Sequence, residues 1–166
     1  ALNEVFPQTF TLLDLGSGPG HLAEQILGHC PVSRYTALDF SAAMQAIARE
    51  RLGAALARIA FMERDFRDGG WSNGLGPFDA IVTLQAAHEL RHKRRLPALL
   101  IQARALMTDG GLFLYCDHYA EEGSNKHPGL FLMREEQPEH LRAAGFGDVR
   151  LLLDLGGMAL YRARPA

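Results

Sequence analysis

Three glycines in five residues, Gly16-Ser17-Gly18-Pro19-Gly20, separate the apolar run Phe10 to Leu15 from His21 to Gly28, where Leu22, Ile26 and Leu27 recur at helical spacing. A buried strand that stops at such a turn and re-enters as a helix brings bare backbone to a sheet edge. A ligand can then lie against the main chain, where a side chain would collide with it. The stretch fits G-x-G-x-G, but His21 occupies the third glycine position of G-x-G-x-x-G. Pro19 removes one amide donor, so the turn is poorly suited to cradling a diphosphate.

The rest of the chain repeats the strand-then-helix pattern. Further strands are expected at Arg34 to Leu38, Ile59 to Glu63, Ala80 to Leu84, Leu112 to Cys116, Val149 to Leu153 and Met158 to Arg162. Helices are expected at Ala42 to Leu52, N-capped by Ser41 and ended by Gly53, at Lys93 to Met107, stopped by Asp109-Gly110-Gly111, and at Glu135 to Ala144. Ala80 to Leu84 lacks polar alternation, as a strand covered on both faces requires. Gly156-Gly157 reads as a hairpin turn. Five βα-type units and a closing hairpin imply an α/β fold, a mainly parallel sheet with helices on both faces, and one domain over residues 1–166.

Two carboxylates follow the glycine turn at strand ends. Asp39 stands about 20 residues beyond Gly18, where an acidic side chain can accept both hydrogen bonds of a ribose diol. Asp65-Phe66 follows the third strand. There the carboxylate suits the exocyclic amine of an adenine and the phenyl ring its face, with Phe40 and Met44 as the opposing apolar wall. Asp14 lies one residue inside the first strand's end, within reach of the ligand or of the turn's own amides.

These segments together resemble the class I S-adenosylmethionine-dependent methyltransferases, and the resemblance spans nearly the whole chain. Asp14 to Gly20 matches the family's first motif, Leu38-Asp39 its ribose acid and Arg64-Asp65-Phe66 its adenine motif. Phe78 to Val82, Leu106 to Gly111 and Ala144-Gly145-Phe146 match segments at the fourth, fifth and sixth strands. The resemblance implies a three-layer sandwich around a seven-stranded sheet in order 3-2-1-4-5-7-6, with strand 7 antiparallel. It also implies an S-adenosylmethionine cleft formed by Asp14, Gly16, Gly18, Gly20, Asp39, Phe40, Met44, Asp65, Phe66 and Gln85. The ends of the fourth and fifth strands, Gln85 to Glu89 and Asp117-His118-Tyr119, would face the transferring methyl. The reaction is in-line displacement at a sulfonium methyl, in which the protein mostly aligns the pair and excludes water. Where the acceptor needs a base, His88 is the first candidate and His118 the second, with Asp117 able to orient either. His88, His92, Asp117 and His118 share that edge without a metal-site spacing, so no metal is assigned.

Lys+Arg 17 against Asp+Glu 19 leaves a net charge of −2, without the global basic field of a nucleic-acid protein. No Asn-Pro-Pro-Tyr-like tetrapeptide follows the fourth strand, and a small-molecule acceptor is the expected substrate. The local run Arg91-His92-Lys93-Arg94-Arg95 reads as a solvated helix start or an anion patch, where cations oppose the helix dipole. Two cysteines, and no apolar stretch of membrane-spanning length, suggest a cytoplasmic protein. About nine residues precede the first strand, too few for a helical lid. The connection Tyr119 to Arg134 is long enough for a partial flap. A pocket this open would be completed by preceding residues or by the second copy of a homodimer, which predicts an exposed apolar patch beside it. Two competing functions are a nicotinamide-dependent oxidoreductase, against which Asp65-Phe66 and the closing hairpin argue, and a non-catalytic cofactor-binding module.

Overall fold

The computed structural model describes residues 1–121 and 129–166. Its elements run α1 (Leu2–Val5), β1 (Phe10–Leu15), α2 (His21–His29), β2 (Val32–Asp39), α3 (Ala42–Arg51), β3 (Ile59–Glu63), β4 (Phe78–Leu84), α4 (Leu96–Ala105), β5 (Met107–His118), α5 (Glu136–Ala143), β6 (Arg150–Asp154) and β7 (Met158–Ala163). Seven strands form one sheet in the order β3-β2-β1-β4-β5-β7-β6. Strands β1 to β5 pair in parallel, and β7 is antiparallel to both β5 and β6. This is the order and polarity expected from the sequence.

Alternation along the buried strands feeds two cores. Leu13 and Leu15 of β1 join Ile81 of β4, Phe113 and Tyr115 of β5, and the α4 stripe Leu96, Leu99, Leu100 and Ala103. Leu12 points the other way, with Ala80, Val82 and Leu112, against Ala23, Ile26 and Leu27 of α2. Successive strands progress outward from β1 through β2 to β3, then return to β4 on the other flank of β1. That reversal opens a crevice between diverging loops at the carboxyl ends of β1 and β4.

Several boundaries differ from the sequence reading, for local reasons. The segment Leu2–Val5 forms one helical turn where no helix was expected. Helix α3 ends at Arg51, and Gly53–Arg58 continues as a 3-10 turn. Helix α4 begins at Leu96, with Pro97 in the first turn where a missing N–H costs nothing, and Lys93–Arg95 form a separate 3-10 turn. It ends at Ala105 because the sheet claims the next two residues: Phe78 donates to the Leu106 carbonyl at 2.8 Å, and Met107 pairs with Phe78. The Asp109-Gly110-Gly111 segment that read as a helix stop therefore lies inside β5, where a register shift between Phe78 and Ala80 absorbs the extra residues. The flap expected over Tyr119 to Arg134 lies partly outside the described residues. Among the described residues, no helix is long and apolar enough to cross a membrane.

One polar pair interrupts the α2-side core. Asp14, 1% exposed, accepts a hydrogen bond from the Tyr35 hydroxyl at 2.6 Å. Burial pushes the Asp14 carboxyl up from 3.8 to about 7; the Tyr35 bond opposes the rise and the nearby Asp39 charge adds to it. A carboxyl whose folded pKa lies above its unfolded one binds more protons when folded, so stability falls as pH rises from about 4 to about 7. Asp14→Asn removes this titration. We expect urea unfolding to show wild-type stability declining across that window, while the variant's curve is flatter there; parallel curves would contradict the assignment.

Candidate functional site

A cleft of about 290 Å³ opens at the reversal point, lined by Gly16, Gly18, Asp39, Phe40, Ser41, Met44, Phe66, Gln85, Ala86 and Glu89. Two of the three turn glycines have distinct steric roles. Gly16, at φ +75, leaves room for the β4 loop, since a Cβ there would stand 2.3 Å from the Ala86 Cβ. Gly18, at φ +53, would project a Cβ into open space with no protein atom within 4 Å, so its backbone is bared to the cleft. Gly20 caps α2 from outside the cleft.

Asp39 closes the turn. Its Oδ2 accepts from the Gly18 amide at 2.8 Å and its Oδ1 from the Ser41 amide at 2.8 Å. Each oxygen keeps a further lone pair, so the 7%-exposed carboxylate can hold the loop and still accept from a diol. The Ser41 side chain accepts from the Met44 amide, capping α3 and placing Met44 on the cleft wall. Phe40, Met44 and Phe66 supply apolar surface on which a purine can lie.

Three residues expected here are placed elsewhere. Asp14 is committed to Tyr35 beneath the turn, and Gly20 serves helix packing. Asp65 turns its carboxylate onto Arg67, whose guanidinium grips both oxygens and holds the Asp65 carboxyl below the ordinary range. Phe66 alone of that pair lines the cleft. The Arg67 guanidinium also lies 5.4 Å from the Phe40 ring centroid, so the ion pair stiffens the outer wall. Ser41 lines the cleft without having been expected as a ligand residue, and Ala86 and Glu89 line it within the segment expected to face the transferring methyl. Ser41 showed only its capping signal, and Ala86 carries no chemical signal at all. Among the described residues, the Ser17 hydroxyl within the glycine turn is buried without a hydrogen-bond partner. A polar atom left unsatisfied there, beside bared backbone, a carboxylate and apolar walls, fits a nucleoside cofactor.

Beyond Ala86 the chain makes a 3-10 turn, Ala87–Leu90, that carries His88. Its Nδ1 lies 2.8 Å from Asp117 Oδ1, and its backbone amide donates to Asp117 Oδ2 at 2.9 Å. The His118 amide donates to Asp117 Oδ1 at 2.7 Å. Three donors thus fix a carboxylate that is 2% exposed. The Asp117 hydrogen bond raises the His88 pKa above 6.5, partial burial opposes this, and the carboxylate's charge adds to the rise. His88 Nε2 stands 3.6 Å from Glu89 Oε1, on the residue that lines the cleft. The His118 ring packs 5.9 Å from His88, centroid to centroid, and Phe131 packs 5.7 Å from it. His118 Nδ1 is engaged by the Gly157 carbonyl at 3.2 Å. Of the two histidines, His88 has the buried carboxylate behind it.

On the other side, Gln85 stands in the left-handed region at φ +53 and its Nε2 donates to the Met158 sulfur at 3.0 Å. Met158 lines an apolar groove of about 310 Å³, with Leu2, Leu22, Leu84, Leu153 and Leu160 among its walls. Leu153 and Leu155 are 47% and 61% exposed, so an exposed apolar surface does adjoin the cleft.

Comparison with known proteins is consistent with this geometry. A family model described as a methyltransferase domain matches residues 12–111. A reducing polyketide synthase, Preu2 of Preussia isomera, is 30% identical over 114 residues; the match covers 66% of this chain and 5% of that protein. Among solved structures, the CurJ carbon methyltransferase superposes with a TM-score of 0.80 at 19% identity, over 99% of this chain and 51% of that one. The DhpI–SAH complex superposes with a TM-score of 0.75 at 26% identity, over 95% of this chain and 77% of that one. The chain therefore spans about half the length of the CurJ protein it matches, and a small fraction of the synthase. With the family model covering more than half its residues and the sheet in the matching order, the chain belongs to the class I S-adenosylmethionine-dependent methyltransferase family.

Proposed function

We propose that this domain transfers a methyl group to a small-molecule acceptor that must first lose a proton, and that His88 is the base. The observation that carries the reading is the His88–Asp117 pair, held between Ala86 and Glu89 of the cleft wall and a neighbouring cavity lined by Tyr115, His118 and Phe131. An acceptor that is already nucleophilic needs only alignment, whereas a carbon acid or hydroxyl needs a base near neutral pKa. Asp117 holds the imidazole with its proton on Nδ1, leaving the Nε2 lone pair free to receive the acceptor's proton. The imidazolium formed is stabilised by the same carboxylate.

In this reading Gly16, Gly18, Asp39, Phe40, Met44, Phe66 and Gln85 hold the cofactor. Asp39 accepts the ribose hydroxyls, and Phe66 faces Met44 and Phe40 across the base. When bound, S-adenosylmethionine supplies an electrophilic methyl on a positively charged sulfur. Its carbon–sulfur bond would break as the acceptor's electron pair forms the new bond. The protein keeps water from the pair and aligns it. We take carbon next to a carbonyl as the acceptor atom, because the CurJ protein is named a carbon methyltransferase and Preu2 a polyketide synthase. The work is placed in the cytoplasm, and a second copy seated on the leucine-lined groove is the proposed way of closing the pocket.

Replacing Asp39 with Ala should weaken S-adenosylhomocysteine binding by about 1–3 kcal/mol in calorimetry, from lost charge-assisted hydrogen bonds. Unchanged affinity would remove Asp39 from the site.

With ethyl acetoacetate as a simple carbon acid, His88→Ala should lower turnover by roughly 10²–10⁴-fold while leaving S-adenosylhomocysteine affinity intact. A base must be neutral, so the wild-type rate should climb with pH through a pKa above 6.5. Asp117→Asn removes the cause of the elevation and should move that limb to lower pH. Full activity of the His88 variant, or a limb unmoved by the Asp117 change, would overturn the assignment. Methyl recovered on oxygen in the product's NMR spectrum would overturn the choice of carbon.

A further inference from the structure

The run Arg91 to Arg95 is not used by the proposed chemistry. Four of the chain's 17 lysines and arginines fall within these five residues of a chain whose net charge is −2. Lys93 is accounted for, paired with Glu136 at 3.0 Å. Arg91, Arg94 and Arg95 are exposed and, among the described residues, form no salt bridge; Arg95 donates to the Leu90 carbonyl at 3.5 Å, and the Arg91 charge helps hold the Asp65 carboxyl low. Arg94 and Arg95 line a groove of about 470 Å³ with Arg67 on the facing loop and Asp68 as the one carboxylate of its lining. Leu90, Leu99 and Phe66 form its apolar floor, and Phe66 is shared with the cofactor cleft.

Local preference runs against this arrangement twice. Cations gathered before the first turn of α4 oppose the helix dipole. Arg91 occupies the left-handed region at φ +60, where glycine or asparagine is less strained. A sequence that breaks local rules at an exposed ridge and gains no internal ion pair points to an external partner. We infer that this ridge and groove are a docking surface for an acidic protein partner, seated at the rim of the cleft.

The charge layout favours a protein over a nucleic acid. A nucleic acid would run past this patch of three exposed arginines along a chain whose net charge is −2, whereas a compact acidic face can match the patch alone. The groove's apolar floor also suits side chains at the centre of a protein contact, inside a charged rim. Arg91 follows His88 by three residues, so their Cα atoms stand within about 10 Å. The surface itself does not depend on the acceptor's identity.

The test uses the full chain saturated with S-adenosylhomocysteine and a fluorescent amphipathic helical peptide bearing glutamates along one face, read by anisotropy. We expect binding that weakens at least tenfold from low to physiological ionic strength. The triple variant Arg91→Glu, Arg94→Glu, Arg95→Glu should lose at least tenfold in peptide affinity while its S-adenosylhomocysteine affinity is unchanged. The exposed Arg34 and Arg142, both outside the groove, provide the control: Arg34→Glu with Arg142→Glu should leave peptide affinity within about twofold. No peptide binding, or equal loss in the control variant, overturns the proposal. Poly(U) of equal charge that binds more tightly, and loses that binding in the triple variant, overturns it in favour of nucleic acid. A His88 variant that binds the peptide normally but is fully active would overturn the proposed base and leave the docking surface standing.

Discussion

The Asp39 carboxylate is the contact on which the cofactor cleft depends. One oxygen holds the Gly18 amide of the loop after β1, and the other holds the Ser41 amide at the start of α3. These loops follow β1 and β2, on one side of the point where strand order reverses, so a single side chain ties the glycine turn to the start of α3. A carboxylate accepting backbone amides is a strong, charge-assisted anchor. It keeps the glycine turn open without help from bulkier side chains, and the apolar walls from Phe40, Met44 and Phe66 are arranged around it.

Asp117 plays the corresponding part behind His88, at the end proposed for the acceptor. It is buried at the carboxyl end of β5 and filled by the His88 amide, the His88 ring and the His118 amide. A charge buried this deeply persists only when such donors compensate its lost hydration. The same donors leave it one geometry, which fixes the imidazole. The two ends of the site therefore share one design, an aspartate at a strand end whose oxygens are satisfied largely by loop amides.

Much of this was legible in the residues because it is written in short-range patterns. Apolar runs broken by glycine turns marked the strands, and Gly16, Gly18 and Asp39 fell where backbone must approach a ligand. Asp65 shows where such reading stops. Its position after β3 reads as a ligand carboxylate, and the structure shows both its oxygens engaged by Arg67, two residues on. Asp14 sat in the same motif, and only the pairing of Thr36 with Leu13 and Ala37 with Asp14 across β1 and β2 brings the Tyr35 hydroxyl over it. The helix stop at Asp109-Gly110-Gly111 was a sound local signal that lost to a longer-range one, the pairing of Met107 with Phe78.

Sequence by itself determined the α/β class and the glycine turn followed by Asp39 at a strand end, because each depends on periodicity or on neighbours within a few residues; the strand order came only from the family resemblance. Tertiary structure decided that Asp14 lies beneath the Tyr35 hydroxyl and which histidine is backed by a buried carboxylate. It also decided which arginines are left unpaired beside the cleft. Those outcomes turn on hydrogen-bond competition between segments distant in the chain, such as His88 and Asp117, which meet only when β4 and β5 lie side by side.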